Sequence, residues 1–215
     1  MAAATATEVD VLYRASARAP WIIDVPELRF LMVDGESSPT GPAFAEAVET
    51  LFAVSYALRS AVKDRIGAFY HVAPLEALWW PGDPAMLATV AAIQQGEGTW
   101  SDGDRFRWRW TAMIRQPDQV TEDLVAEVVP ATTVRRRLAA GPRLRFEAFA
   151  EGFTVQILHL GPYASECPTI ARLHRYIGEQ GYRAVGKHHE IYLGDPRRAA
   201  PERLRTILRQ PVALA

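Results

Sequence analysis

Two tetrapeptides, Ile114-Arg115-Gln116-Pro117 and Leu208-Arg209-Gln210-Pro211, each close a run that reads as a β-strand, and they divide the chain into halves. Working backwards from them, Leu75-Glu76-Ala77-Leu78 aligns with His189-Glu190-Ile191-Tyr192. The long helical stretch after Pro42 aligns with a helical stretch over 168–181, and Val33-Asp34-Gly35 with the turn at Gly161. Each half then reads strand, helix, strand, strand, with an insertion in the first half and a helical connector between the two. The expectation is an α+β fold, a duplicated β-α-β-β unit with pseudo-two-fold symmetry, within one domain over 1–215. Half one covers about 28–117, the connector about 118–142 and half two about 143–212.

Local signals support this order. Residues 1–27 carry few and read as an arm that packs on the domain; Leu28–Val33 is a first strand closed by Asp34-Gly35. Thr40 is placed to cap, and Pro42 to open, a helix whose Phe44, Val48, Leu51, Ser55, Leu58 and Val62 form one stripe, with Gly67 ending it. Ala68–Trp80 is a second strand region interrupted by Pro74; residues 85–104 read as a helical or irregular insertion with glycines at 96, 98 and 103. In Phe106–Gln116, Phe106, Trp108, Trp110, Ala112 and Ile114 alternate with Arg105, Arg107, Arg109, Thr111 and Met113. Pro130 is expected to divide the connector, whose Arg135-Arg136-Arg137 reads as a solvated helix end. Leu144–Phe149 and Phe153–Leu160 are two strands or one strand bent at Gly152; a helix from Ser165 or Pro168 stops at Gly181, and Leu204–Gln210 is a last strand.

His188–Leu193 lies between Gly186 and Gly194-Asp195-Pro196 and reads as a strand between turns. His188, Glu190 and Tyr192 share one face, and the more apolar face, with His189, Ile191 and Leu193, is expected to pack on helices. A carboxylate between two ring-bearing residues suits a pocket for a planar or cationic ligand better than a core. Five of the six tryptophans fall between Trp79 and Trp110, which makes either a core wedge or the lining of a ligand cavity.

The charge balance, 24 basic against 25 acidic residues, points to no nucleic-acid or anionic-membrane surface. The single Cys167 excludes an internal disulfide and reads as a small residue in a helix's first turn rather than a reactive thiol. No apolar stretch is long enough to span a membrane and the Ala/Thr-rich Met1–Thr7 lacks a basic region, so a cytoplasmic location is expected. The histidines at 71, 159, 174, 188 and 189 show no metal-ligand spacing, and no phosphate loop occurs; neither a metal nor a nucleotide cofactor is expected.

Several stretches resemble the GyrI-like small-molecule-binding family, in its stand-alone subfamily: Val155–Tyr163, Thr169–His174, Gly186–Leu193, Pro74–Trp80 and Arg107–Trp110. The resemblance covers roughly 28–212 and implies a ligand pocket between the halves. In members fused to transcription factors the domain senses drugs, commonly with a pocket glutamate facing cationic ligands; Glu190 is the matching residue. In the subfamily resembling this chain, members hydrolyse the cyclopropane of DNA-alkylating cyclopropyl-indoline compounds of the yatakemycin type in an aromatic cage. The 27 residues before the first expected strand are too few for a helix-turn-helix, so DNA reading is not expected.

Ring opening needs a flat ligand held, a water positioned, and charge on the dienone oxygen stabilised. Trp80, Trp108, Trp110, Tyr163 and Tyr192 are candidates for holding. Glu190 and its repeat partner Glu76 are candidates for the water, and Tyr70, Tyr163, Tyr192 or His188 for the oxygen. The expected partner is a planar hydrophobic small molecule, with the outcome xenobiotic resistance. The alternative is a non-catalytic module that sequesters or senses hydrophobic or cationic drugs. A protein partner such as gyrase has only a distant family association behind it.

Overall fold

The computed structural model describes residues 10–100 and 108–215. The expectations for Met1–Thr7, for Gly103 and for Arg105, Phe106 and Arg107 lie outside them. Among the described residues the main elements run in the order β1 (Trp21–Glu36), α1 (Pro42–Ile66), β2 (Leu75–Pro81), α2 (Leu87–Gln95), β3 (Trp108–Gln116), α3 (Glu122–Arg136), β4 (Arg145–Leu160), α4 (Cys167–Glu179), β5 (Tyr182–Ala184), β6 (His188–Tyr192) and β7 (Arg205–Leu214).

All strand pairings are antiparallel, and the order β4-β1-β3-β2-β6-β7 closes on itself because β4 also pairs with β7; β5 adds to the far end of β7. Exchanging β1 with β4, β2 with β6 and β3 with β7 leaves this ring unchanged. That is the two-fold relation expected of a duplicated unit, and β2 and β6 meet across its middle. The registers also correct the repeat alignment. Leu75 pairs with Ile114 and Glu190 with Leu208, so if Ile114 and Leu208 are equivalent, Leu75 occupies the position of Glu190. Glu76 corresponds to Ile191, and the one-residue slip sends its side chain to the opposite face.

Helices α1 and α4 lie on the outer face. Under α1, Leu51, Val54 and Leu58 pack on Leu31, Val33, Ala77, Ala112 and Ile114. Under α4, Ile170, Leu173 and Ile177 pack on Val155, Ile157 and Leu208. The inner face holds Phe30, Met32, Leu78 and Met113 in one cluster and Leu158, Ile191 and Ile207 in another, the latter joined by Tyr13, Ala15 and Ala17 of the arm. The face of β6 carrying His189 and Ile191 therefore packs on the arm and the inner barrel, not on helices as expected. Across Gly152, left-handed at φ 71°, the inward side chains of β4 change from Gln156 and Leu158 to Glu151 and Phe149, so of the two expected arrangements it is the single bent strand that forms.

Other boundaries also differ. β1 begins at Trp21, within the expected arm, whereas only Leu75–Pro81 of the second strand region is strand. The cap of α1 is Gly41, with no side-chain bond from Thr40, while Gly67 ends the helix at φ 66° as expected. Helix α3 runs through Pro130. Pro130 and Ala126, whose carbonyl loses its usual intrahelical donor, are both at the surface, where a proline costs a helix less than in its packed interior.

Candidate functional site

A cleft of about 1590 Å³ opens on the outer face between α1 and α4, with α2 along its side and the β2–β6 pair as its floor. Alternation along β6 turns His188, Glu190 and Tyr192 into it. The Tyr192 hydroxyl donates to Glu190 Oε2 at 2.8 Å and accepts from Trp79 Nε1 at 3.0 Å, so a relay across the two halves fixes the carboxylate. Burial pushes the Glu190 carboxyl up to about 7, against the Tyr192 hydrogen bond and nearby His189, which lower it. His188 Nε2 stands 3.7 Å from Glu190 Oε1; burial holds its imidazole down, at about 3, so it is neutral. His174, also on the cleft, is held down by burial to about 4.

Aromatic rings form one wall. Phe44 and Trp79 lie 5.3 Å apart by ring centroids, Trp79 and Trp108 are edge-on at 6.5 Å, and Trp108 and Trp100 edge-on at 5.0 Å. Such pairs contribute roughly 0.5–1.5 kcal/mol each beyond area burial and hold the rings in place. Tyr163 faces Tyr192 edge-on at 5.6 Å. Burial, then the charges of Glu166 and Glu190, push the Tyr163 phenol up to about 12, so it remains a hydrogen-bond donor at neutral pH.

Of the residues singled out from sequence, Glu190, Tyr163, Trp108, Tyr192 and His188 line this cleft. Trp80 also borders it but carries the Lys187 ammonium 3.4 Å over its ring and packs with the inner-face cluster. Three expectations are corrected. Trp110 is fully buried, wedged edge-on to Phe44 at 5.1 Å with its Nε1 donating to Ser37 Oγ, because β3 turns it under α1. Tyr70 packs against the same core cluster and does not border the cleft. Glu76 points inward, where Tyr13 donates to it at 2.7 Å and His189 Nε2 approaches to 3.1 Å.

His189 is itself clamped at Nδ1 by Glu151 at 3.0 Å, and Glu151 accepts from Arg209 at 3.1 Å. Burial alone would depress His189; Glu151 and then Glu76 override it and raise the imidazole to about 9. The acidic and aromatic residues on the two sides of β6 therefore do different things, one side lining a cleft and the other building a buried ionic core.

The sequence reading missed Glu166, His174, Gln210 and the cleft-facing roles of Trp79 and Trp100. Trp79 and Gln210 were within reach through strand parity and register. Glu166 lies in the turn before α4, where no periodicity applies. Among the described residues no group of three or more His, Cys, Asp or Glu is placed to hold a metal, and no helix is long and apolar enough to cross a membrane.

Residues 109–213 match the model of the GyrI-like small molecule binding domain. A crystal structure of an uncharacterized conserved protein from Listeria innocua is 35% identical, covers 96% of this chain and 98% of its own, and superposes with a TM-score of 0.81. Two crystal structures of hydrolases from Listeria innocua are similar at 32% and 33% identity, with TM-scores of 0.78 and 0.79. They cover 96% of this chain and 98% and 97% of their own. No curated protein sequence matches significantly.

Proposed function

The chain belongs to the GyrI-like small-molecule-binding family, and from that premise we propose that it is a cofactor-free hydrolase that opens the cyclopropane of cyclopropyl-indoline genotoxins and so confers xenobiotic resistance. The observation that carries this reading is Glu190, a carboxylate fixed by Tyr192 on the floor of an aromatic-walled cleft and held near neutrality. The hydrolases among its structural relatives support the reaction class, and the subfamily resemblance supports the substrate class.

The aromatic wall of Trp79, Trp100 and Trp108 receives the flat ligand by stacking and edge contacts, which removes apolar surface from water. Glu190 in its ionised form orients a water and takes its proton as oxygen attacks the strained ring carbon. Tyr163 donates a hydrogen bond to the dienone oxygen as charge gathers there. Tyr192 is a positioning residue, since its single proton is committed to Glu190. Strain in the three-membered ring supplies part of the activation, so a small set of groups suffices.

Replacing Glu190 by Gln is expected to lower kcat by about 10²-fold or more, within the usual range for a positioned acid or base, while ligand quenching of tryptophan fluorescence persists. Unchanged turnover in Glu190→Gln would remove Glu190 from the chemistry. A second reading rests on the same carboxylate among aromatic rings, a combination that holds cations by charge and by ring faces. In that case the protein sequesters ligands unaltered, and mass spectrometry finds only the starting compound.

A further inference from the structure

Ring opening needs an acid as well as a base. The electron pair of the broken carbon–carbon bond ends on the dienone oxygen, and the product is a phenol, whose ordinary pKa is about 10. Tyr163, held near 12, is too weak an acid to give its proton up to such an oxygen, although it can hydrogen-bond to it. The neutral imidazoles of His188 and His174 are not acids at neutral pH.

Glu166 borders the cleft and is only 4% exposed. Its Oε1 is buried and lacks a hydrogen bond of full geometry, although the Thr206 hydroxyl, itself buried without another partner, stands close enough to favour the ionised form. A buried carboxyl oxygen so poorly satisfied in a native protein is where a bound water, a ligand or a reacting group is accommodated. Its backbone is pinned: its carbonyl accepts from the amides of Thr169 and Ile170 at 2.8 and 2.9 Å, opening α4, and its own amide donates to the Tyr163 carbonyl. The side chain is thus delivered from a fixed helix start, close enough to Glu190 for the two carboxyls to repel as anions.

We propose that Glu166 is the proton donor of the site, acting on the dienone oxygen while Glu190 acts on the attacking water. This rests on the hydrolase reading above. In the step, the water oxygen bonds to the cyclopropane methylene carbon and its proton passes to Glu190. The ring carbon–carbon bond breaks, its electron pair moves through the dienone, and the carbonyl oxygen takes the Glu166 proton to become a phenol. Substrate and water give one product, and transfer of one proton from Glu190 to Glu166, directly or through solvent, resets the pair.

Electrostatics agree with this assignment. Burial, then the Glu190 charge, raise the Glu166 carboxyl well above its ordinary range, which favours its protonated form, while Glu190 is pushed up to about 7. The groups that bear on Glu166 are Glu190 and Tyr192 of β6, Thr206 of β7, which favours ionisation, and Tyr163 and Cys167 beside it in sequence. Two carboxyls in one site, one ionised and one protonated, is how acid and base roles are divided between like groups.

The test is the pH profile of kcat/KM for the full chain with a yatakemycin-type compound, comparing wild type, Glu166→Gln and Glu166→Asp, with circular dichroism to verify folding and fluorescence quenching to read ligand affinity. Expected are a kcat about 10²-fold lower or more in Glu166→Gln at retained affinity, loss of the alkaline limb in that variant, and its persistence in Glu166→Asp. Wild-type turnover with Glu166→Gln within about threefold of it, or an alkaline limb kept in Glu166→Gln, overturns this role and leaves the hydrolase reading standing. No turnover by wild type ends both.

Discussion

At the residue scale, the proposed function turns on what surrounds one carboxylate. Tyr192 lowers the Glu190 pKa through its hydrogen bond, against the burial that raises it. If Glu190 must be ionised, activity rises with pH through about 7. Removing the phenolic proton in Tyr192→Phe takes away the lowering effect, so the acidic limb is predicted to move to higher pH in kcat/KM profiles; an unmoved limb would show that another group sets it. That Glu190 belongs to a cleft was legible because strand alternation put it between His188 and Tyr192. That Glu76 is not its twin was not legible, since the tetrapeptide match fixes one strand of each half and leaves the others free to slip by a residue. The slip replaces a catalytic expectation with a buried ionic one, and only the cross-strand registers reveal it.

Elements explain where sequence patterns succeeded and where they failed. Amphipathic spacing located α1 and α4, and alternation located β3, because each buries one face. Alternation could not say which tryptophans of β2 and β3 see solvent: Trp110 is held under α1 by Phe44 and Ser37, while Trp108, two residues earlier on the same face, reaches the cleft. Close packing of β1 on β3 adds a constraint, since a Cβ on Gly35 would stand 2.2 Å from the Trp110 ring. Gly35→Ala is predicted to destabilise by about 1–3 kcal/mol in urea unfolding, the usual cost of forced overpacking; a neutral result would mean that Trp110 has room to shift. On the inner face, the raised folded pKa of His189, about 9 against about 6.5 in an unfolded chain, gives a signed prediction. Its stabilising contribution is complete below about 6.5 and lost as pH rises through about 9. The stability advantage of wild type over His189→Gln, on the order of a few kcal/mol at neutral pH, is therefore predicted to shrink between those values in urea titrations. An advantage that instead grew with pH would contradict the Glu76–His189–Glu151 clamp.

For the whole molecule, duplication puts the candidate cleft where the two copies meet. The ring of strands pairs β2 with β6 at its middle, α1 and α4 stand on either side, and the cleft draws its tryptophans from the first half and Glu190 and Glu166 from the second. The order of elements was readable because repeats preserve it; the closure of the sheet through β4 and β7 was not, since no local signal encodes which distant strands pair. Reaction in ¹⁸O-labelled water, with a yatakemycin-type compound in large excess over protein, tests the central claim most directly. The predicted result is many product molecules per protein, each carrying one solvent-derived ¹⁸O at the opened ring carbon; ligand recovered unaltered, or consumed only once per protein without label, would contradict it.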